Sequence, residues 1–279
     1  MKETLNNSSK AGSRIMNFIS NIFYAAAAST IICALFLASL LAYAVKINAG
    51  LPEISEIKNM SARGGIALAY SEMPEFLSKI LVCAFDPAYF SHKGVTADNV
   101  KSGVLKIYKG IDIEFCDKTI TQNLAVVALN SKNAAVTGKT LPARAAAYLK
   151  ESLLAYKIES KIRSKDKILE IFLNNAPFGD GINGLLQASV VYFNKKPADL
   201  SEAECLTLAA ILKSRPNLSG DAGVKELEKE REKIISTIVE RGLIDSEKAA
   251  GYKFSDFELN SYQSRINKLI EENCILIRL

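Results

Sequence analysis

From Ile15 to Val45 the chain carries no charged residue, and this run of 31 positions constrains it more than any other feature. Its densest part, Ile22 to Val45, reads IFYAAAASTIICALFLASLLAYAV. A helix needs about 20 apolar residues to cross a hydrocarbon core, and it pairs its own backbone groups there. Residues 15–46 are therefore expected to form one transmembrane anchor. The competing reading is a cleaved signal peptide, because an Ala-x-Ala-like site occurs at Ala42–Ala44. The run is much longer than the ~7–15 residues of a signal h-region, which favours the anchor. Lys2, Lys10 and Arg14 precede the span against Glu3 alone, while Lys46 is followed by Glu53 and Glu56. The positive-inside bias puts residues 1–14 in the cytoplasm and the bulk of the chain outside it, on the outer face of the membrane.

The 279 residues suffice for an anchor and one sizeable domain. Hydrophobic residues make up 49% and charged residues 23%, which excludes wholesale disorder. The formal charge of +5 suits an anionic membrane surface or an anionic ligand. With no Lys/Arg block and no aromatic-basic alternation, nucleic acid is not an expected partner. Cys33, Cys83, Cys116, Cys205 and Cys274 contain no CxxC pair, and His92 is the single histidine, so no zinc constellation is visible. The cysteines read as reduced, mostly buried thiols, with a Cys83–Cys116 bridge as the alternative.

Residues 47–72 read as a juxtamembrane connection, with a turn at Arg63-Gly64-Gly65 and a short strand in IALAY. Residues 73–260 read as one mainly helical domain. Met73-Pro74 opens a helix through FLSKILVCAF. Ala146, Leu149, Leu153 and Tyr156 form an apolar stripe at three- and four-residue steps. Ser164 leads into ILEIFLN. Ser201 and Glu204 form a capping-box pattern before CLTLAAIL. Val224 to Arg241 is amphipathic, with Gly242 placed to end it. Residues 261–279 are a tail without an assigned contact.

Four segments then carry chemistry. The longest, residues 164–216, keeps Lys165, Ile168, Leu169, Glu170, Leu173 and Asn174, followed by Tyr192, Phe193 and Lys195. AFDPAYFSHKGV contains Asp86, His92 and Gly94; DKTITQNLAVVAL contains Thr119, Ile120, Thr121, Gln122 and Leu124; AYLKESLLA contains Glu151. In this order and spacing they resemble the peptidoglycan glycosyltransferases, glycosyltransferase family 51, over about residues 73–250. Members write Glu-Asp-x-x-Phe-x-x-His-x-Gly at the second segment, so Phe85 stands at the catalytic Glu. Val126 stands at a lysine used near the substrate pyrophosphate, and Ala147 and Tyr148 stand at an Arg-Lys pair.

The resemblance implies a lysozyme-like helical glycosyltransferase domain behind one N-terminal transmembrane helix, of the monofunctional type. It implies action on lipid II or a nascent glycan strand, and transpeptidases or other cell-wall proteins as partners. No Ser-x-x-Lys, Ser-x-Asn or Lys-Thr-Gly occurs after residue 250, so no penicillin-binding half is expected. The catalytic carboxylates it leaves are Glu151 and, relocated, Asp86; Glu114 and Asp117 are weaker substitutes. Thr119, Thr121, Gln122, Asn123 and His92 are the candidate sugar or phosphate contacts, and Lys118 or Lys150 would replace the lost phosphate cation. No cofactor is required, although a divalent metal assists some members. A hydroxyl acceptor needs a carboxylate to take its proton, and an anionic leaving group needs cations. Phe85 and Val126 supply neither, so the expectation is a binding or scaffolding protein with impaired polymerisation. The alternatives are an active transglycosylase using Glu151 and Asp86, and, more weakly, a lysozyme-like hydrolase. Each retained residue also has a plain structural explanation: Glu170 and Asn174 in holding their helix and its turn, His92 as a core hydrogen-bond partner, Asp86 as the cap of a turn, Glu151 as a solvated helix charge.

Overall fold

The connection expected before residue 73 is already part of the fold. Leu51, Ile54, Ile57 and Met60 recur at every third position; the first three are buried in the core and Met60 packs against it. Ile54 and Ile57 lie on the first helix, α1 (Ile54–Lys58). Glu53, Glu56 and Lys58 give the segment its polar look, but its third positions decide where it packs. The domain boundary therefore moves from residue 73 to residue 51.

The structure is a computed structural model that describes residues 45–48, 50–60, 66–113, 117–132, 138–215, 218 and 221–252, together with 23–24, 28–35, 37–39 and 42. The chain divides into two units, Met1–Gly50 and Leu51–Leu279. In the first, positions 28–35 and 37–39 are helical and expose Ile31, Ile32, Leu35 and Leu37. No helix among the described residues is long and apolar enough to cross a membrane. Much of the charge-free run lies outside the described residues, as do Arg63–Gly65, Glu114, Cys116 and the tail 261–279.

The second unit is helical throughout its described elements: α2 (Glu75–Phe85), α3 (Ala97–Tyr108), α4 (Ile120–Ser131), α5 (Leu141–Ile162), α6 (Lys165–Asn175), α7 (Leu185–Phe193), α8 (Glu202–Ser214), α9 (Asp221–Glu240) and α10 (Ser246–Ala250). Local signals set most of the ends. Pro74 is the N-cap of α2, and the Ser164 hydroxyl caps α6 by accepting from the Lys167 N–H at 3.2 Å. Ser201 and Glu204 close a reciprocal capping box on α8. Gly242 adopts a left-handed φ of 72° beyond α9, with Gly242 N–H donating to Val239 and Leu243 N–H to Ile238, the Schellman pattern.

Two helices form the centre. Cys205 to Leu212 of α8 are all buried, and α4 buries every residue from Ile120 to Leu129 except Val126. A helix buried all round must be enclosed by others; here α8 packs against α2 and α9, and α4 against α5 and α6. Cys83 and Cys205 are free thiols, and burial pushes Cys205 up to about 12.

Two local expectations are corrected. On α5, Leu149 and Tyr156 are exposed at 41% and 55%, while Tyr148, Leu154, Ala155, Ile158 and Glu159 are buried. The stripe is displaced because part of the buried face is polar, which apolar periodicity does not register. The IALAY segment forms no strand. The backbone N–H and C=O of Leu68 both pair, at 2.9 Å, with the Asn174 side-chain amide, and Tyr70 N–H donates to Glu170 at 3.1 Å. Asn174 thus does for this segment what a neighbouring strand would do. Glu170 and Asn174 hold a segment 100 and 106 residues away, and Glu170 also pairs with Lys167 on its own helix.

Candidate active site

Phe85 ends α2 with 7% of its surface exposed and joins the hydrophobic core. Asp86 follows as the C-cap, its N–H donating to Val82. Its carboxylate is 3% exposed and fully engaged. His92 Nε2 lies 2.9 and 3.0 Å from its two oxygens, and Ile120 N–H donates to Oδ2 at 2.9 Å. Gly94 N–H donates to His92 Nδ1 at 3.0 Å, which leaves Nε2 as the nitrogen that donates to Asp86. The carboxylate also sits at the N-terminus of α4, where the helix dipole favours an anion. Gly94 is needed here: its φ is 99°, and a Cβ would stand 2.7 Å from the Ala155 carbonyl carbon.

The Thr119–Asn123 run turns inward. Thr119 caps α4, accepting from Gln122 N–H at 3.0 Å and donating to Gly94 O at 2.6 Å. Gln122 returns a bond to Thr119 N–H and donates to the Ser152 hydroxyl at 3.1 Å. Thr121 donates to Glu159 at 2.6 Å, and Asn123 to Thr119 O at 3.1 Å. All four side chains are buried at 5% exposure or less. Their hydroxyls and amides, expected to meet sugar or phosphate, bond within the fold instead. Gln122 and Thr121 thereby tie α4 to α5, Thr119 ties it to the Gly94 loop, and Asn123 bonds back to the start of its own helix.

Glu159 marks a centre that sequence reasoning missed. Its Oε1 accepts from Thr121 and from Lys165 Nζ, the latter at 2.6 Å; Lys165 also donates to His92 O at 3.0 Å and lies 4.6 Å from the Tyr89 ring centroid. The Tyr89 hydroxyl donates to Lys165 O at 2.7 Å. Burial, then the carboxylates of Glu159 and Asp86, push the Tyr89 phenol well up. The one available signal was Lys165, whose partner lies six residues earlier on α5.

Glu151 and Lys118 meet in a separate shallow recess of about 120 Å³, together with Asp112, Arg144, Ala147 and Tyr148. They form an ion pair at 2.8 Å with side chains 15% and 12% exposed, so Glu151 is not a solvated helix charge. Arg144 donates to Ile111 O and lies 3.6 Å from Asp112. Lys106 pairs with Asp117 at 2.6 Å. Tyr148 donates to Asn99 O at 2.9 Å, and burial holds its phenol above the usual value, with Glu151 adding to the effect. Lys150 is half-buried on α5, about 100° round the helix from Glu151, and Val126 is half-buried on α4. The structure brings Lys118 and Glu151 together and places Asp86, His92 and Thr119–Asn123 in a buried network outside this recess.

Residues 53–239 match the transglycosylase family model. The chain belongs to the transglycosylase family. It is 30% identical over 195 residues to penicillin-binding protein 1F of Bacillus subtilis, covering 70% of this chain and 26% of that protein. It is also 30% identical over 173 residues to penicillin-binding protein 1A of Neisseria flavescens, covering 62% of this chain and 20% of the relative. With penicillin-binding protein 1A of Neisseria lactamica the identity is 34% over 143 residues, or 51% and 17% of the two chains. The transglycosylase chain described here thus spans about a quarter or less of the length of these relatives. Its family match opens at residue 53, beside the start of the packed unit at Leu51.

Proposed function

We propose that this chain is a membrane-anchored protein of peptidoglycan synthesis that keeps the lysozyme-like glycosyltransferase fold and binds lipid II or nascent glycan, with its polymerising chemistry largely lost. Family membership supports the pathway. One observation carries the loss of chemistry: the Phe85 ring is packed into the core where the resemblance puts the proton-accepting carboxylate. Such a base contributes about 10²–10⁴ in rate. Asp86 is a poor substitute, because moving it would break its bonds to His92 and Ile120. Glu151 keeps the position that the resemblance gives to a second carboxylate, paired with Lys118 in a recess that also holds Arg144 and Asp112. The divalent metal that the resemblance allows finds no group of three or more His, Cys, Asp or Glu among the described residues, so no step is routed through it.

The test is polymerisation. Full-length protein is given labelled lipid II in detergent beside an active penicillin-binding protein 1A, and glycan polymer is measured for wild type and Glu151→Gln. Polymer at background in both, with labelled lipid II retained by both, is the expected result. Polymer that the wild type makes and Glu151→Gln does not would establish the active reading instead.

The anchored placement has support in the second unit too. Val104, Leu105 and Tyr108 on α3 are exposed at 56%, 50% and 78%, followed by Ile111 at 49%, and Lys101 and Lys109 are exposed among them. An apolar patch interleaved with lysines suits an anionic bilayer interface. The chain has no tryptophan, so Tyr108→Trp introduces a single reporter. In vesicles with brominated lipids its emission should be blue-shifted and quenched, and that of Lys229→Trp on α9 should not. Equal quenching at the two positions would sink this placement.

A further inference from the structure

A second cavity lies away from the Glu151 recess and shares no lining residue with it. It holds about 800 Å³ between α2, the loop after Asp86, α6 and the turn that ends α9. Ligand pockets run from about 300 to 1,000 Å³ and are mostly apolar, whereas packed interiors leave few voids larger than water. Val82, Leu169 and Leu243 supply apolar wall, and Phe90 keeps a ring 67% exposed beside them.

The polar side chains of the lining are Tyr70, Glu75, Ser78, Lys79 and Arg241. Lys79 is neutralised by Glu75 at 2.8 Å. Arg241 donates through Nη1 to the Cys83 carbonyl and has no carboxylate within ion-pair distance among the described residues. Ser78, in the same lining, has a buried hydroxyl without a hydrogen-bond partner. The remaining charge of the lining is therefore one cation beside an apolar trough.

We infer that this cavity binds a single-chain amphiphilic anion of the fatty-acid class, its hydrocarbon chain along Val82, Leu169 and Leu243 and its carboxylate on Arg241. A sugar or nucleotide would find too few donors here to replace its hydration. The described part of the cavity is built from helices and loops, so no strand edge is offered to an extended peptide. The site stands or falls separately from the reading of the glycan chemistry, since none of its residues lies at Glu151, Lys118 or Phe85.

The test uses the full chain in lipid nanodiscs, with binding to empty discs subtracted. The probes are cis-parinaric acid and its methyl ester, which has the same chain without the charge. Wild type should bind the acid saturably. Val82→Trp, which fills the trough, should lose at least about tenfold in affinity, and Arg241→Gln should lose about tenfold for the acid but little for the ester. Cys83 gives a second readout that does not depend on the variants folding. In a chain whose other four cysteines are serine, its alkylation by a maleimide should slow as the acid is added. Burial raises the Cys83 thiol, so mildly alkaline buffer keeps the reaction measurable. Binding no greater than to empty discs, equal affinity for acid and ester, or unprotected Cys83 at saturating acid would each overturn the inference.

Discussion

Phe85→Glu is expected to unfold more readily than wild type by about 3–5 kcal/mol and to leave lipid II unpolymerised. On sequence grounds this substitution looks like a repair, because it returns the residue the family resemblance asks for. The structure gives it a different meaning. Phe85 is 7% exposed and contributes to the core, so the new side chain forfeits about 1.5–3 kcal/mol of apolar burial and strands a carboxylate among apolar neighbours.

The sign of the pH dependence separates this from a simple cavity. A carboxyl forced into that environment is held above its ordinary value of about 4.3, so the native state binds the proton more tightly than the unfolded chain. Stability then falls as pH rises through the region above that ordinary value, because the unfolded state releases its proton first. Urea melts should show the variant's deficit larger at pH 8 than at pH 5, while Phe85→Leu shows a smaller deficit with little pH dependence. A Phe85→Glu protein as stable as wild type at both pH values would mean that position 85 faces solvent, and the argument for lost chemistry would lose its footing. Restored polymerisation would do the same from the other side.

Much of the fold is legible because its signals are local. Ser201 and Glu204 carry a complete capping box within four residues, and Gly242 ends α9 through bonds that span only five. The all-apolar run in α8 needs no partner to announce that it is central. Apart from the Leu51–Met60 repeat, whose three-residue step is itself local, the misses depend on a distant group. The segment before Tyr70 looked like a strand because it is extended and apolar, yet its partner is the side chain of Asn174, 106 residues on. The stripe on α5 was displaced because Glu159 is buried by Thr121 and Lys165, which come from other helices. The same logic governs the candidate site. Asp86 and the Thr119–Asn123 run are polar residues in a motif, and a motif does not say which way its side chains turn. The pairing of Lys118 with Glu151 joins residues 33 positions apart, and nothing short of the packing of α4 on α5 could show it.

Asp86→Ala should lower the melting temperature by about 5–15 °C, a consequence of its role as the joint between three segments. The carboxylate accepts from His92 on its own loop and from Ile120 at the start of α4, and both donors are buried. Removing it strands them at about 1–3 kcal/mol each, and in a domain of this size each kcal/mol is worth roughly 2–4 °C. Asp86→Asn keeps one acceptor and should fall between the two. His92→Gln, alone and with Asp86→Ala, completes a double-mutant cycle, in which a shared joint gives a coupling of about 0.5–3 kcal/mol. A relocated catalytic acid would behave otherwise: its removal would abolish polymer while leaving the melt within about 1 °C of wild type, as at sites whose polar groups keep no partner in the fold. Because Asp86 cannot both hold Ile120 and leave to meet an acceptor sugar, the melt and the polymer assay answer one question, and an unshifted melt would put this carboxylate back among the candidates for chemistry.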